Sequence, residues 1–472
     1  MNKNVSSFAK NVFYAVGANL SRIFANLVLT LFLPKILSVE GYSYWQLFHF
    51  YATYLLYSTL GWTEGLYMKY GGVPWDKLNP KRMSGQIWGV VVHEVVFGCL
   101  VLGIGWRLIP PLDVKRLLLV DAVLYMIFHV LLSQLQAVLQ ASNRIEDYAR
   151  TYSGERILFL AAAVGCVAVA RVSYQTFIVV EILTNLLFAG YAMVLCKRLV
   201  MVRPLPLRET WGEKWELIRI GCSVSMASLM GQMIIGVVRF GVELRYGTIA
   251  FGKLSLAFSM ANMAVTCVTA VSIVIFPALK RLQQKKAREL YLPVRDLMTF
   301  LMFGVLLAYA PLQAILTLWL PEYGDSIRYL AVLLPFCIYE TRNSVLTCTY
   351  LKVWMAQKYI LYANVLTLLI SFGMTWITVF VWGSIDLAAV SIMVLYGIKT
   401  ILTEQAVKRY LPVRFGVFNL QEMVLTVIFI LMSWFLPSVW AWCGYLLCYG
   451  LYLLAGRHRL KTAFQVMKEM VQ

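Results

Sequence analysis

Arg22 stands near the centre of an apolar segment that runs from Asn11 to Leu33. Asn19, Arg22, Asn26 and Thr30 recur at spacings of three and four, so on a helix they form one polar stripe, while Phe13, Leu20, Ile23, Phe24, Leu27, Val28 and Leu31 cover the rest. A charge at mid-bilayer depth is costly, and such a stripe is expected to face a bundle interior or a water-filled cavity. Three other basic residues fall inside apolar runs: Arg342 and Lys399 near mid-depth and Arg239 near one end. Glu340 and Arg342 are two apart, point to different faces of a helix, and so are not expected to neutralise each other. Cations without visible partners at that depth imply an anionic ligand. Arginine's fork suits phosphate oxygens and lysine adds a point charge, so Arg22, Arg342, Lys399 and Arg239 are candidates to bind a phosphate or pyrophosphate group.

Acidic residues also lie in apolar runs: Glu64, Glu94, Asp121, Glu181, Glu340 and Glu404. Asp121 and Glu94 are the candidates for coupling to an ion, H+ or Na+. Glu94 beside His93 has the makings of a proton relay, although packing is the plainer reading of an isolated pair. Neutral stripes recur as well. Ser225, Ser228, Gln232, Gly236 and Arg239 share a helical face, as do Ser255, Ser259, Asn262, Thr266 and Thr269, and Asp121, Tyr125, His129, Ser133, Gln136 and Gln140. Asn19, Asn26, Gln232 and Asn262 are expected to line a wet cavity; the alternative is that such small polar residues hold helix to helix in lipid. Tyr51, Tyr54 and Tyr57 offer sugar-stacking faces on the same terms.

Other chemistry has no visible home. Nine cysteines are scattered singly without a CxxC pair, and four histidines form no HExxH or similar pair, so neither a metal site nor a catalytic nucleophile is expected. No cofactor is implied, and the chain is not expected to be an enzyme.

The elements that must position these residues follow from composition. The chain is 60% hydrophobic and 14% charged, with mean hydropathy +0.72, beyond the apolar share of a soluble domain. A net charge of +19 can signal nucleic acid, but here the basic residues sit in short clusters between apolar runs, which suits membrane topology and not a nucleic-acid face. Roughly 20 apolar residues make a span. Spans are placed near 11–33, 43–66, 85–106, 117–138, 152–171 and 176–196, then 217–240, 250–276, 296–319, 328–350, 358–382 and 387–405, then 422–437 and 440–456. The first is read as an uncleaved span, because no small-residue cleavage site follows it.

The fold class is therefore an all-α integral membrane protein of about 14 transmembrane helices: two six-helix lobes plus two C-terminal helices around a central cavity. The lobes are 1–196 and 217–410, joined by a cytosolic linker, 197–216, and followed by the extra helices and tail, 411–472. With the N-terminus in the cytosol, every second connection is basic, as in the groups Lys69, Lys77, Lys81 and Arg82, and Lys280, Arg281, Lys285, Lys286, Arg288 and Arg295. About 30 basic residues then lie inside against about 8 outside. Both termini are expected in the cytosol. Gly41 to Leu47 (GYSYWQL) and Ala250 to Leu256 (AFGKLSL) open the second span of each lobe, a weak likeness that suits paired repeats.

The run FAKNVFYAVGANLSRIFANLVLTLFLPKILSVEGYSYWQLF (Phe8 to Phe48), a later stretch YETRNSVLTCTYLK (Tyr339 to Lys352), the 6 + 6 + 2 helix count and the short basic connections resemble polysaccharide flippases of the Wzx type. These belong to the multidrug/oligosaccharidyl-lipid/polysaccharide exporter superfamily. The resemblance implies alternating access that carries an undecaprenyl-pyrophosphate-linked oligosaccharide across a bacterial cytoplasmic membrane for cell-surface polysaccharide biosynthesis. Its partners would be that lipid-linked substrate, membrane lipids and other polysaccharide assembly proteins. The chain also resembles lipid II flippases in helix number; these keep basic residues in a central cavity, and Arg22 falls where that pattern would put one, but the second span holds no arginine. Two rivals are a cation-coupled multidrug exporter of the same superfamily, which would use Asp121 or Glu94, and a membrane-embedded polysaccharide polymerase or ligase, which would need a sizeable external loop.

Overall fold

The computed structural model describes residues 3–169, 172–281, 284–411 and 416–471; the side chains of Thr269, Lys280, Arg281, Lys285, Lys286 and Arg288 lie outside that description. Every described element is a helix, and the chain divides into two compact units, Met1–Leu229 and Met230–Gln472. The first unit holds α1 (Lys3–Ile36), α2 (Val39–Leu55), α3 (Trp62–Tyr70), α4 (Pro80–Leu108), α5 (Val114–Ala141), α6 (Ile145–Ala168), α7 (Tyr174–Leu195), α8 (Lys197–Val200) and the start of α9 (Leu207–Arg281). The second continues α9 and adds α10 (Gln284–Val305), α11 (Tyr309–Trp319), α12 (Gly324–Leu333), α13 (Phe336–Thr341), α14 (Cys348–Val353), α15 (Gln357–Thr375), α16 (Ile385–Val407), α17 (Gly416–Phe435), α18 (Ser438–Ala455) and α19 (Arg457–Val471).

All fourteen expected spans overlap described helix, and nine helices among the described residues are long and apolar enough to cross a membrane. This is a multi-pass membrane protein. Phe13, Leu100, Ile104, Val194, Leu369 and Leu447 each expose more than half of their surface, which is stable when the surrounding solvent is hydrocarbon. Inward faces close over Trp62, Leu66, Ile87, Met126 and Leu135 in the first unit and over Tyr291, Leu346, Tyr350 and Val407 in the second.

Local chemistry sets the helix starts. Ser38 Oγ accepts from Gly41 N at 3.1 Å, and Asp113 accepts from Lys115 N at 3.0 Å. Asn79 accepts from Lys81 N and Arg82 N, with Pro80 at the first helical position. Each cap supplies an acceptor for amides that have no partner in the first turn.

The irregular places are more informative. The seventh and eighth spans form one 75-residue run, α9, interrupted at Gly247 (φ 81°, ψ 178°), a conformation open to glycine and hardly to other residues. The expected 197–216 connection is partly helical, in α8 and the first turns of α9. The tenth span is α12, α13, a six-residue π-helical segment (Arg342–Thr347) and α14. α19 has no counterpart among the expected spans. It alternates Arg457, His458, Arg459 and Lys461 with Leu460 and Ala463 and packs against α10.

In the first unit α3 crosses the start of α9 backbone to backbone. A Cβ built on Gly65 would lie 1.9 Å from the Leu217 carbonyl oxygen, and one on Gly221 would lie 1.9 Å from that of Gly61. No side chain fits there, in keeping with the small-residue crossings of membrane helices. Gly65→Ala or Gly221→Ala is expected to cost about 1–3 kcal/mol of stability or more, read as a lowered Tm of the purified protein. Gly103→Ala, where nothing lies within 4 Å, is the neutral control.

Candidate functional site

Arg22 is half-buried on α1, and its guanidinium lies 4.4 Å from the ring centroid of Tyr152 on α6. Among the described residues it has no carboxylate within ion-pair distance. The rest of its stripe is turned inward on its own helix: Asn19 Nδ2 donates to Ala15 O at 2.8 Å and Thr30 Oγ1 to Asn26 O at 2.8 Å, while Asn26 is exposed. Bonds to the i−4 carbonyl are the local solution for a polar side chain with nothing better to reach.

Deeper in the first unit four helices meet in a charged network that the sequence analysis does not foresee. Arg156 of α6 pairs with Glu181 of α7 at 2.7 Å and reaches Glu155 at 3.7 Å. His49 of α2 lies 3.2 Å from the other Glu181 oxygen. Asn185 Nδ2 donates to Glu155 Oε1 at 3.3 Å, and its Oδ1 lies 2.8 Å from His129 Nδ1 of α5, a ring stacked on Tyr125. Glu155 and Glu181 are buried. One guanidinium, two carboxylates and two imidazoles thus meet in this cluster. Asp121 is buried and accepts from Gln175 Nε2 at 2.9 Å. Glu94, fully buried, accepts from Ser58 Oγ.

In the second unit Arg342 and Lys399 depart from the expectation that they stand uncompensated. Arg342, in the π segment, binds Glu404 of α16 through Nε at 3.1 Å and Glu422 of α17 through Nη1. Arg295, assigned from sequence to a cytosolic connection, is instead completely buried on α10. Its Nε lies 3.2 Å from Glu404, its Nη2 lies 3.1 Å from Glu422, and that same nitrogen donates to Asn419 Oδ1 at 2.6 Å. Asn419 Nδ2 closes the ring by donating to Glu404 Oε2 at 2.9 Å. Arg295 Nη1 also donates to Asp296 at 3.2 Å, and Arg459 lies 4.0 Å from that carboxylate, so three guanidiniums and three carboxylates meet here. Lys399 Nζ pairs with Glu340 at 3.0 Å, the partner that the spacing of Glu340 and Arg342 had left open.

Arg239 donates from Nε to Ser255 Oγ at 3.0 Å and lies 4.9 Å from the Phe251 ring centroid. Gln232 is exposed and Asn262 half-buried. Of the four candidate cations, Arg22 belongs to the first unit and Arg239, Arg342 and Lys399 to the second. Among the described residues no group of three His, Cys, Asp or Glu side chains is placed to hold a metal ion.

The missed participants had weak signals. Arg156 lies inside the expected 152–171 span, Arg295 one residue before 296–319, and Glu422 at the first residue of 422–437. Charges at a span edge read as topology or snorkelling residues until the helix is seen to continue past them.

Neither a protein-family model nor a curated protein sequence matches the chain. Solved structures do. The inward closed conformation of the lipid II flippase MurJ matches at TM-score 0.63 and 12% identity, over 98% of this chain and 100% of that one. An inward-facing multidrug resistance MATE family transporter of the MOP superfamily matches at 0.59 and 12%, over 83% and 95%. The MATE transporter VcmN of Vibrio cholerae matches at 0.53 and 12%, over 86% and 99%. The chain has the all-helical fold that these membrane transporters share.

Truncating one partner of a buried pair strands the other charge, at about 3–5 kcal/mol. Arg295→Ala and Arg342→Ala are therefore expected to lower the Tm of the purified protein sharply, whereas Arg22→Ala, with no ion pair to break, is expected to leave it nearly unchanged.

Proposed function

We propose that the protein is a flippase for a polyprenyl-pyrophosphate-linked oligosaccharide. It would act by alternating access in a bacterial cytoplasmic membrane, with both termini in the cytosol and other polysaccharide assembly proteins as partners. On this reading 1–196 and 217–410 are the lobes, 197–216 the linker, and 411–472 the added helices and tail. The observation that carries it is coverage: the likeness to the lipid II flippase runs over 98% of this chain, against 83%, 86% and 89% for three MATE transporters. A sugar head needs hydrogen-bonding walls and its pyrophosphate needs a cation, while the polyprenyl tail can stay in lipid.

Arg22 is the leading pyrophosphate ligand, because its charge is not already spent on a carboxylate. Arg239 is proposed for the same role from its place in an apolar run. Arg342 and Lys399 would have to exchange Glu404, Glu422 or Glu340 for an incoming phosphate, so their part is structural first. Asn19, Asn26, Gln232 and Asn262 are proposed for the polar lining, with Asp121 and Glu94 for ion coupling.

A second reading, a cation-coupled multidrug exporter, draws support from the buried acids of the first unit, Glu94, Asp121, Glu155 and Glu181.

The test is complementation of a flippase-null strain that has the matching sugar pathway, together with lipid-linked oligosaccharide translocation in proteoliposomes. Arg22→Ala is expected to cut translocation by roughly ten- to a hundredfold, the worth of hydrogen bonds to a charged group, and Arg22→Lys to keep part of it. Unchanged translocation in Arg22→Ala at equal expression would remove Arg22 from the site. Gradient-driven efflux of cationic dyes without oligosaccharide translocation would decide for the exporter.

A further inference from the structure

The second expected span does not run as one helix. α2 stops at Leu55, Leu56–Thr59 tighten into a 3-10 turn, and Leu60 and Gly61 both take left-handed backbone (φ 51° and 88°) before α3 begins at Trp62. Gly61 adopts this freely, but for leucine it is a strained conformation that its surroundings must hold. α4 supplies the hold. Ser58, in the turn, donates from Oγ to Glu94 Oε2, and His93 Nε2 lies 3.1 Å from the Ser58 carbonyl oxygen. Two successive residues of α4 thus clamp one residue of the turn. For His93 to donate, its proton must sit on Nε2.

The clamp is incomplete on one side. Glu94 is fully buried, and its second oxygen, Oε1, has no hydrogen-bond partner among the described residues. It lies 4.0 Å from His93 Nε2. A buried carboxylate oxygen left unserved is costly, and adding a proton is the simplest way to relieve it. The surroundings do not suit a hard metal ion, which takes several oxygen ligands. Beyond the Ser58 hydroxyl, the neighbouring groups are the His93 ring and Met126 Sδ of α5, 3.7 Å from Ser58 Oγ.

We propose that Glu94 is a proton-binding site that controls the break between α2 and α3. As a carboxylate it holds Ser58 by a charge-assisted hydrogen bond and keeps the Leu60–Gly61 kink. A proton delivered by hydronium, which is released as water, forms an O–H bond on Glu94, the bond from Ser58 becomes a weaker neutral one, and the kink relaxes. Gly61 lies backbone to backbone against Gly221, so the change reaches α9 directly.

The titratable groups of the elements packed here are His93 on α4, Tyr57 in the turn, Glu64 on α3 and Lys214 on α9. The Lys214 ammonium sits 4.7 Å from the Trp62 ring centroid and acts on both His93 and Glu94. α5 presents Met126 and Gln134, neither of which titrates; Gln134 Oε1 accepts from Thr63 at 2.8 Å. The site itself needs no transported substrate; only its use as a coupling site rests on the transport reading.

Hydrogen exchange of the 56–66 backbone, measured on the full chain in nanodiscs from pH 5 to 8 and corrected for intrinsic exchange, tests the proposal without any substrate. Exchange is expected to rise roughly fivefold as pH falls, the difference between a charged and a neutral acceptor. Glu94→Gln is expected to hold the faster rate at every pH, and Ser58→Ala to do the same, so that if one variant does not fold the other still decides. Glu64→Gln is expected to keep the wild-type profile. A flat wild-type profile, a pH dependence that persists in Glu94→Gln, or a response to sodium at constant pH would overturn the proposal. Failure of the oligosaccharide assay alone would leave it standing.

Discussion

Arg342 held between Glu404 and Glu422, with Arg295 on the same two carboxylates, expresses the constraint that governs this chain. Hydrocarbon solvates neither a charge nor an unpaired amide, so a helix that carries one must find its complement on another helix. The second unit answers with a charge-neutral ring across α10, the π segment, α16 and α17, which fixes the positions of four elements at once. Truncation of any member leaves a buried charge alone, so the ring gives the unit specificity more securely than it gives net stability. Lys399 with Glu340, and Arg156 with Glu181, repeat the solution on a smaller scale.

That constraint explains which parts of the fold were legible. Span positions were, because a run of some 20 apolar residues is a local signal and nothing local competes with it. Pairing was not. Arg295 and Glu404 are 109 residues apart and Arg342 and Glu422 are 80 apart, and a stripe on one helix does not say which helix faces it. Boundary error compounded the problem: Arg295 and Glu422 fell at span edges, where a charge reads as a topology signal, and α10 and α17 in fact begin several residues earlier. Arg342 is buried as its sequence position suggests, but Glu404 and Glu422 compensate its charge, whereas Arg22 has no carboxylate within ion-pair distance among the described residues.

Backbone irregularity was equally hidden. Polar residues fall in both places, Ser58 and Thr59 before Leu60 and Arg342, Asn343 and Ser344 in the π segment, yet none of them specifies left-handed backbone at a leucine or an inserted π turn. Each irregularity sits beside buried polar groups that hold it: Ser58 with Glu94 in one unit, Arg342 with its two glutamates in the other. A π turn inserted in a helix usually marks a functional position, and here it turns Arg342 toward α16 and α17. The other end of that segment is held as well, by Tyr291 and Thr347 hydroxyls 3.3 Å apart.

The two holds differ in what they permit. In the second unit Glu404 and Glu422 each lie against two guanidiniums, which cannot lose a proton. In the first unit Glu94 faces a hydroxyl and an imidazole with one oxygen unserved, and Glu181 lies between Arg156 and the His49 ring. Carboxylates and imidazoles exchange protons readily, so the first unit carries groups whose charge can change while the fold is kept.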